Sequence, residues 1–130
     1  MDRAVILARG LGTRMRAADA GAELSADAAA VADTGVKALM PAAGGRAFLD
    51  YALSALADAG YRRVCLVVGP EHGVLRDYVA GLALRRLAVE FAVQAEPLGT
   101  ADATAAAEDF AGDGCVCVVN SDNLYPVEAL

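Results

Sequence analysis

The stretch Ala4-Val5-Ile6-Leu7-Ala8-Arg9-Gly10-Leu11-Gly12-Thr13-Arg14-Met15 decides how the chain is read. Its first five residues are apolar, include two β-branched side chains and run into a glycine, which suits a strand buried on both faces. A tight loop over residues 10–16 follows. Two glycines two apart let the backbone approach a ligand closely and aim N–H groups at phosphate oxygens. Arg14 then offers a planar, permanently charged fork that matches a pyrophosphate. Taken alone, the same pattern also describes a glycine-rich turn followed by a solvated arginine. A dinucleotide-binding G-x-G-x-x-G turn would need Gly or Ala where Met15 stands. No Gly-Lys-Ser or Gly-Lys-Thr occurs, so a Walker-type phosphate loop is absent from the sequence.

Moving outward, residues 17–34 are rich in Ala, Asp, Gly and Ser with little periodicity, and fit a mobile loop or a weak helix. Residues 46–59 carry Leu49, Leu53, Leu56 and Ala57 at helical spacing and end at Gly60, a C-capping residue. Val64-Cys65-Leu66-Val67-Val68 is a second buried strand, closed by Gly69-Pro70. Residues 71–80 form a shorter helix with Val74, Leu75, Tyr78 and Val79 as its apolar face, and residues 88–94 a third strand. Residues 100–110 form a third helix with Thr100 as N-cap, and residues 115–119 a fourth strand running into Asn120-Ser121-Asp122-Asn123. Strands alternating with helices predict an α/β fold: a Rossmann-like, doubly wound, mostly parallel sheet with helices on both faces and right-handed crossovers. Residues 1–130 read as one domain with no internal repeat and no linker. Ligands in such folds bind at the carboxyl ends of strands, beside the point where strand order reverses.

The composition agrees. The 130 residues suffice to bury roughly two thirds of the unfolded surface, and an apolar fraction of 57% argues against disorder. A net charge of −6 argues against a nucleic-acid or anionic-membrane partner, so any phosphate site has to be local. Cys65, Cys115 and Cys117 fall in apolar runs, and no second pair completes a zinc site. They are expected to be reduced core thiols on buried strands. Neither a secretory segment nor a membrane span is legible, so the expected location is the cytoplasm. His72 has no evident partner and is expected to be structural.

Four motifs in order now carry a family resemblance. The loop Leu7 to Met15 resembles the L-A-x-G-x-G-T-R-M element of the sugar-phosphate nucleotidylyltransferases. Lys37-Ala38-Leu39-Met40-Pro41 resembles their K-x-L-x-P element, and Phe48-Leu49-Asp50-Tyr51 the start of the helix after it. Gln94-Ala95-Glu96-Pro97-Leu98-Gly99-Thr100-Ala101 resembles Q-x-x-x-L-G-T-A, and Ser121-Asp122-Asn123 resembles G-D-N. The resemblance implies transfer of a nucleoside monophosphate from a nucleoside triphosphate to a sugar-1-phosphate, releasing pyrophosphate. It implies that the backbone from Leu7 through Ala8, Arg9, Gly10 and Gly12 to Thr13 cradles the base and triphosphate. Arg14 would hold the departing phosphates and Lys37 neutralise charge at the reacting ones. Gln94 would face the base, flanked by Gly99 and Thr100, and Asp122 would be a carboxylate ligand for Mg²⁺. UTP or dTTP is the favoured triphosphate.

Three departures from the family pattern stand out. Arg9 replaces the usual Gly or Ala, Ser121 replaces the usual Gly beside the carboxylate, and the interval from Met15 to Lys37 is long. Two rival readings share the opening loop: a catalytically idle regulatory or nucleotide-binding module, and a transferase acting on an alcohol phosphate or a molybdenum cofactor. Retention of Arg14, Lys37 and Asp122 argues against the first, and the G-T-A and S-D-N segments against the second. The family's sugar pocket and second carboxylate follow the G-D-N element, so residues 1–130 are expected to be part of a longer protein. Alone, they are expected to be inactive and prone to self-association, which leaves room for a homo-oligomer.

Overall fold

The computed structural model describes residues 1–9, 37–71 and 73–130, with backbone alone at 37 and 43. The expectations for residues 10–36, which include Gly10, Gly12, Thr13, Arg14 and the loop that follows, lie outside the described residues, as does His72. Four strands form one parallel sheet: β1 (Arg3–Leu7), β2 (Arg63–Val68), β3 (Ala88–Val93) and β4 (Cys117–Asn120). Between them lie α1 (Phe48–Asp58), α2 (Gly73–Gly81), and two short helices, α3 (Thr100–Ala105) and α4 (Glu108–Ala111). A 3-10 turn, Lys37–Leu39, precedes α1 and packs against it. The strand order is β3-β2-β1-β4. The chain therefore builds outward from β1 through β2 to β3, then returns to the other side of β1 for β4. That reversal opens a crevice at the carboxyl ends of β1 and β4, where α/β sheets of this kind take ligands.

The two-residue alternation of a strand divides the core into two layers. Ala4, Ile6, Val64, Leu66 and Val68 face α1 and α2, meeting Leu49, Leu53, Leu56 and Leu75. Val5, Cys65 and Val67 face the other way, against Ala103, Ala107 and Phe110 of the short helices. Helices thus cover both faces of β1 and β2, as their unbroken apolar runs predict. Among the described residues no helix is long and apolar enough to cross a membrane.

Helix α1 ends as its glycine predicts. Gly60 has φ +100°, its N–H donates to Ala57 O, and the N–H of Tyr61 donates to Leu56 O. This paired closure satisfies carbonyls that the helix end leaves open, and it needs a residue free to adopt positive φ.

Several expectations are corrected. The third helix is not continuous from 100 to 110: Ala107 has φ −97° and ψ 14°, and its N–H bonds to Thr104 O in a tightened i→i−3 step. The break lets Ala103, Ala107 and Phe110 all reach the sheet. Thr100 is not the N-cap; Gly99 holds that position, and no side chain caps the helix there. The cysteines also differ from expectation. Only Cys65 is a buried core thiol, with burial pushing it up to about 11, whereas Cys115 is exposed and precedes β4, and Cys117 is half-buried. The fourth strand begins two residues late: among the described residues β4 pairs with β1 alone, and its ladder starts at Ala4 opposite Cys117. In α2, Leu75 is fully buried but Val74 is 44% exposed, so the apolar face is narrower than the spacing suggests.

Helices α1 and α2 are joined by the Tyr78 hydroxyl, which donates to Asp50, 2.8 Å from Oδ1 and 2.7 Å from Oδ2. Burial, then the hydrogen bond to Asp50, pushes the Tyr78 hydroxyl up to about 12 from 10.0. A phenol whose folded pKa lies above its unfolded one keeps its proton in the fold after the unfolded chain has lost it. Its stabilising contribution is therefore complete below about pH 10 and falls away as pH rises towards 12. Tyr78→Phe is expected to lower stability evenly below about pH 10 and to flatten its further loss between pH 10 and 12, as read by urea unfolding from neutral pH across that range.

Candidate functional site

The crevice at the strand-order reversal is a cleft of about 320 Å³. Leu7 and Arg9 enter it from the end of β1, Gln94 from the end of β3, and Asn120, Ser121 and Asp122 from the end of β4. Pro97, Gly99, Thr100 and Ala103 close it from the loop and first turn of α3. Of the expected site residues, the fold thus brings together Leu7, Arg9, Gln94, Gly99, Thr100 and Asp122, although up to 115 positions separate the first from the last. Ala8 is buried beneath them, its N–H bonded to Val67 O at 2.9 Å. Lys37 is described by its backbone only, at the start of the turn against α1.

The loop from Gln94 to Gly99 is built from inside. Gln94 is one of two buried polar residues among those described, only 4% exposed. Its backbone N–H extends the ladder to Val68 O, and its side-chain amide donates to Gly99 O at 3.1 Å and to Asp102 Oδ2 at 2.7 Å. An amide NH₂ has two donors, and both are committed here. With both N–H donors committed, the side-chain carbonyl oxygen is the group of Gln94 left to accept from a ligand. Gly99 has φ 104° and ψ −177°, a region in which side-chain-bearing residues are strained. A Cβ placed there would meet nothing within 4 Å. Backbone conformation rather than crowding requires this glycine, and the space beside it is open.

The turn after β4 is also fixed. The Ser121 N–H donates to Leu7 O at 3.2 Å, and Ser121 is 4% exposed. The Tyr125 hydroxyl accepts from the backbone N–H of Asn120 and the side-chain amide of Asn123, each at 3.2 Å. These bonds set the backbone on either side of Asp122, which is exposed and lines the cleft. Among the described residues no cluster of three or more His, Cys, Asp or Glu side chains is assembled. One carboxylate in a phosphate-sized cleft still suits Mg²⁺, which keeps several waters and takes one or two carboxylates plus substrate phosphates.

Sequence reasoning missed the partners that hold these residues: Asp102 for Gln94, Tyr125 for the Asp122 turn, and Glu71 for Arg9. The Arg9 side chain is 7% exposed, donates to the Gln94 carbonyl and lies 3.6 Å from Glu71 Oε1. It therefore lies across the carboxyl ends of the strands instead of reaching freely into the cleft. No local signal points to a partner 62 positions away.

Residues 3–129 match the family described as Nucleotidyl transferase, and the chain belongs to that family. It is 29% identical over 127 residues to a glucose-1-phosphate thymidylyltransferase of Neisseria gonorrhoeae, a match covering 95% of this chain and 38% of that protein. Among solved structures it is similar to a UDP-glucose pyrophosphorylase complexed with UDP-glucose, with TM-score 0.72 and 20% identity over 95% of this chain and 47% of the other. It is also similar to HddC from Yersinia pseudotuberculosis, with TM-score 0.71 and 28% identity over 94% and 48%. The chain thus spans less than half the length of each of these relatives.

Removal of the Gln94 amide leaves Asp102 and the Gly99 carbonyl without their donor. Gln94→Ala is expected to cost about 1–3 kcal/mol of stability and to speed amide hydrogen exchange across residues 95–100. Unchanged exchange in that loop would show that Gln94 does not hold it.

Proposed function

We propose that this chain forms the nucleotide-binding part of a sugar-1-phosphate nucleotidylyltransferase, which transfers a nucleoside monophosphate to a sugar-1-phosphate and releases pyrophosphate. The observation that carries the reading is the convergence of Leu7, Gln94, Gly99 and Asp122 on one cleft at the strand-order reversal. Family membership and the two-sided parallel sheet support the same class.

The chemistry is in-line attack by a sugar-phosphate oxygen on the α-phosphorus of the triphosphate, which breaks its bond to the bridging oxygen. Such transfers depend on positioning and charge neutralisation more than on a protein nucleophile. The backbone at Leu7 and Ala8 and the open face of Gly99 hold the nucleoside. Arg14 holds the departing pyrophosphate and Lys37 offsets charge at the reacting phosphates, both assigned from the motifs. Asp122 would hold Mg²⁺, which when bound supplies positive charge at the phosphate oxygens. UTP or dTTP is the favoured triphosphate.

The test is pyrophosphate release by the full-length protein with Mg²⁺, each common triphosphate and a panel of sugar-1-phosphates. Release that requires a sugar-1-phosphate is expected. Asp122→Asn and Arg14→Ala are each expected to lower the rate roughly ten- to a hundredfold, the worth of one charge-assisted contact. Triphosphate binding without turnover on any phosphate acceptor would instead identify an idle binding module.

A further inference from the structure

Arg9 departs from the family pattern, and the fold supplies specific accommodations for it. Its side chain is more than nine-tenths buried, yet it lines the cleft. One guanidinium nitrogen donates to the carbonyl of Gln94, the other lies 3.6 Å from the Glu71 carboxylate, and the buried Nε has no hydrogen-bond acceptor among the described residues. Glu71 in turn folds back onto the buried Gly69. A Cβ on Gly69 would sit 2.7 Å from Glu71 Oε1 and 2.8 Å from its Cδ, closer than carbon tolerates. The glycine ending β2 therefore makes room for the carboxylate that neutralises the arginine ending β1.

Two consequences follow. With its charge offset by Glu71 and its donors directed to Glu71 and Gln94, Arg9 is not a phosphate-binding cation. Its three-carbon stem and guanidinium instead fill the space over the carboxyl end of β2, between β1 and Gln94. This is the base end of the cleft: Gln94 and Gly99 line it with neutral polar groups, whereas Asp122 marks the phosphate end.

We infer that the Arg9–Glu71 pair is the specificity-determining wall of the base pocket, closing it to the second ring of a purine. The inference rests on the proposed nucleotidylyltransferase reading of the cleft. A single-ring pyrimidine needs less of the space beside Arg9 than a two-ring purine does. Restoring the family's glycine at this position removes the wall.

The experiment is calorimetric titration of the protein with UTP, dTTP, ATP and GTP in the presence of Mg²⁺, for the native sequence, Arg9→Gly, Arg9→Lys and Glu71→Gln. Native protein is expected to bind the pyrimidine triphosphates more tightly. Arg9→Gly is expected to shift the pyrimidine-to-purine ratio by roughly tenfold or more, the discrimination a close-fitting pocket provides, chiefly through gained purine affinity. Glu71→Gln and Arg9→Lys are expected to give smaller shifts in the same direction, since a lysine cannot reproduce the guanidinium fork. They carry the test if Arg9→Gly does not fold, as judged by its thermal melt without nucleotide. An unchanged ratio in the folded variants, or equal loss for all four triphosphates, overturns the inference while leaving the nucleotide site intact. Native protein that binds no triphosphate overturns the reading of the cleft, and this inference with it.

Discussion

Parallel hydrogen bonding of β1 on both of its edges is the constraint on which the rest of the structure depends. Arg3 to Leu7 pair with residues 63–67 on one side, and Ala4 to Leu7 with residues 117–120 on the other. Parallel neighbours cannot be joined by tight turns, so each connection must cross over the sheet through helical segments. Those crossovers cover both faces and make the strands apolar throughout. Because the chain leaves β1 in one direction and returns on the other side for β4, the crossovers diverge at the carboxyl end. The cleft is what that divergence leaves open. Leu7 O, which receives the Ser121 N–H at 3.2 Å, fixes how closely the two sides approach.

The polar groups around the cleft work as a supporting layer for a backbone surface. Gln94 holds Gly99, Asp102 holds Gln94, Arg9 holds the Gln94 carbonyl, and Tyr125 holds the turn around Asp122. Much of the lining is therefore backbone or short side chain.

Much of this was legible in the sequence, for reasons tied to particular residues. The runs 4–8 and 64–68 read as strands because both faces of each are buried, leaving no polar interruption. Helix α1 was legible because Leu49, Leu53 and Leu56 repeat with its turn and Gly60 closes it. The cleft lining followed from strand ends and glycines. What failed depended on tertiary context. Thr100 is a good capping residue, yet Gly99 takes the cap because the loop needs positive φ there. The alanines from 105 to 107 carry no signal of a helix break, which burial of Phe110 imposes. Cys115 resembles a strand residue, but β4 has one partner strand among the described residues and starts later. The folded-back position of Arg9 depends on Glu71 and Gly69, and no spacing rule connects them.

The crevice at the strand-order reversal is where a nucleoside triphosphate is proposed to bind. Amide NMR of the isotope-labelled protein titrated with dTTP and Mg²⁺ tests it most directly. Saturable shifts are expected at Leu7, Ala8, Gln94, Gly99, Ser121 and Asp122, while a separate groove, lined by Arg46, Leu53 and Ala57 on one side and residues 82–87 on the other, stays undisturbed. Shifts centred on that groove, with the ends of β1 and β4 silent, would contradict that placement.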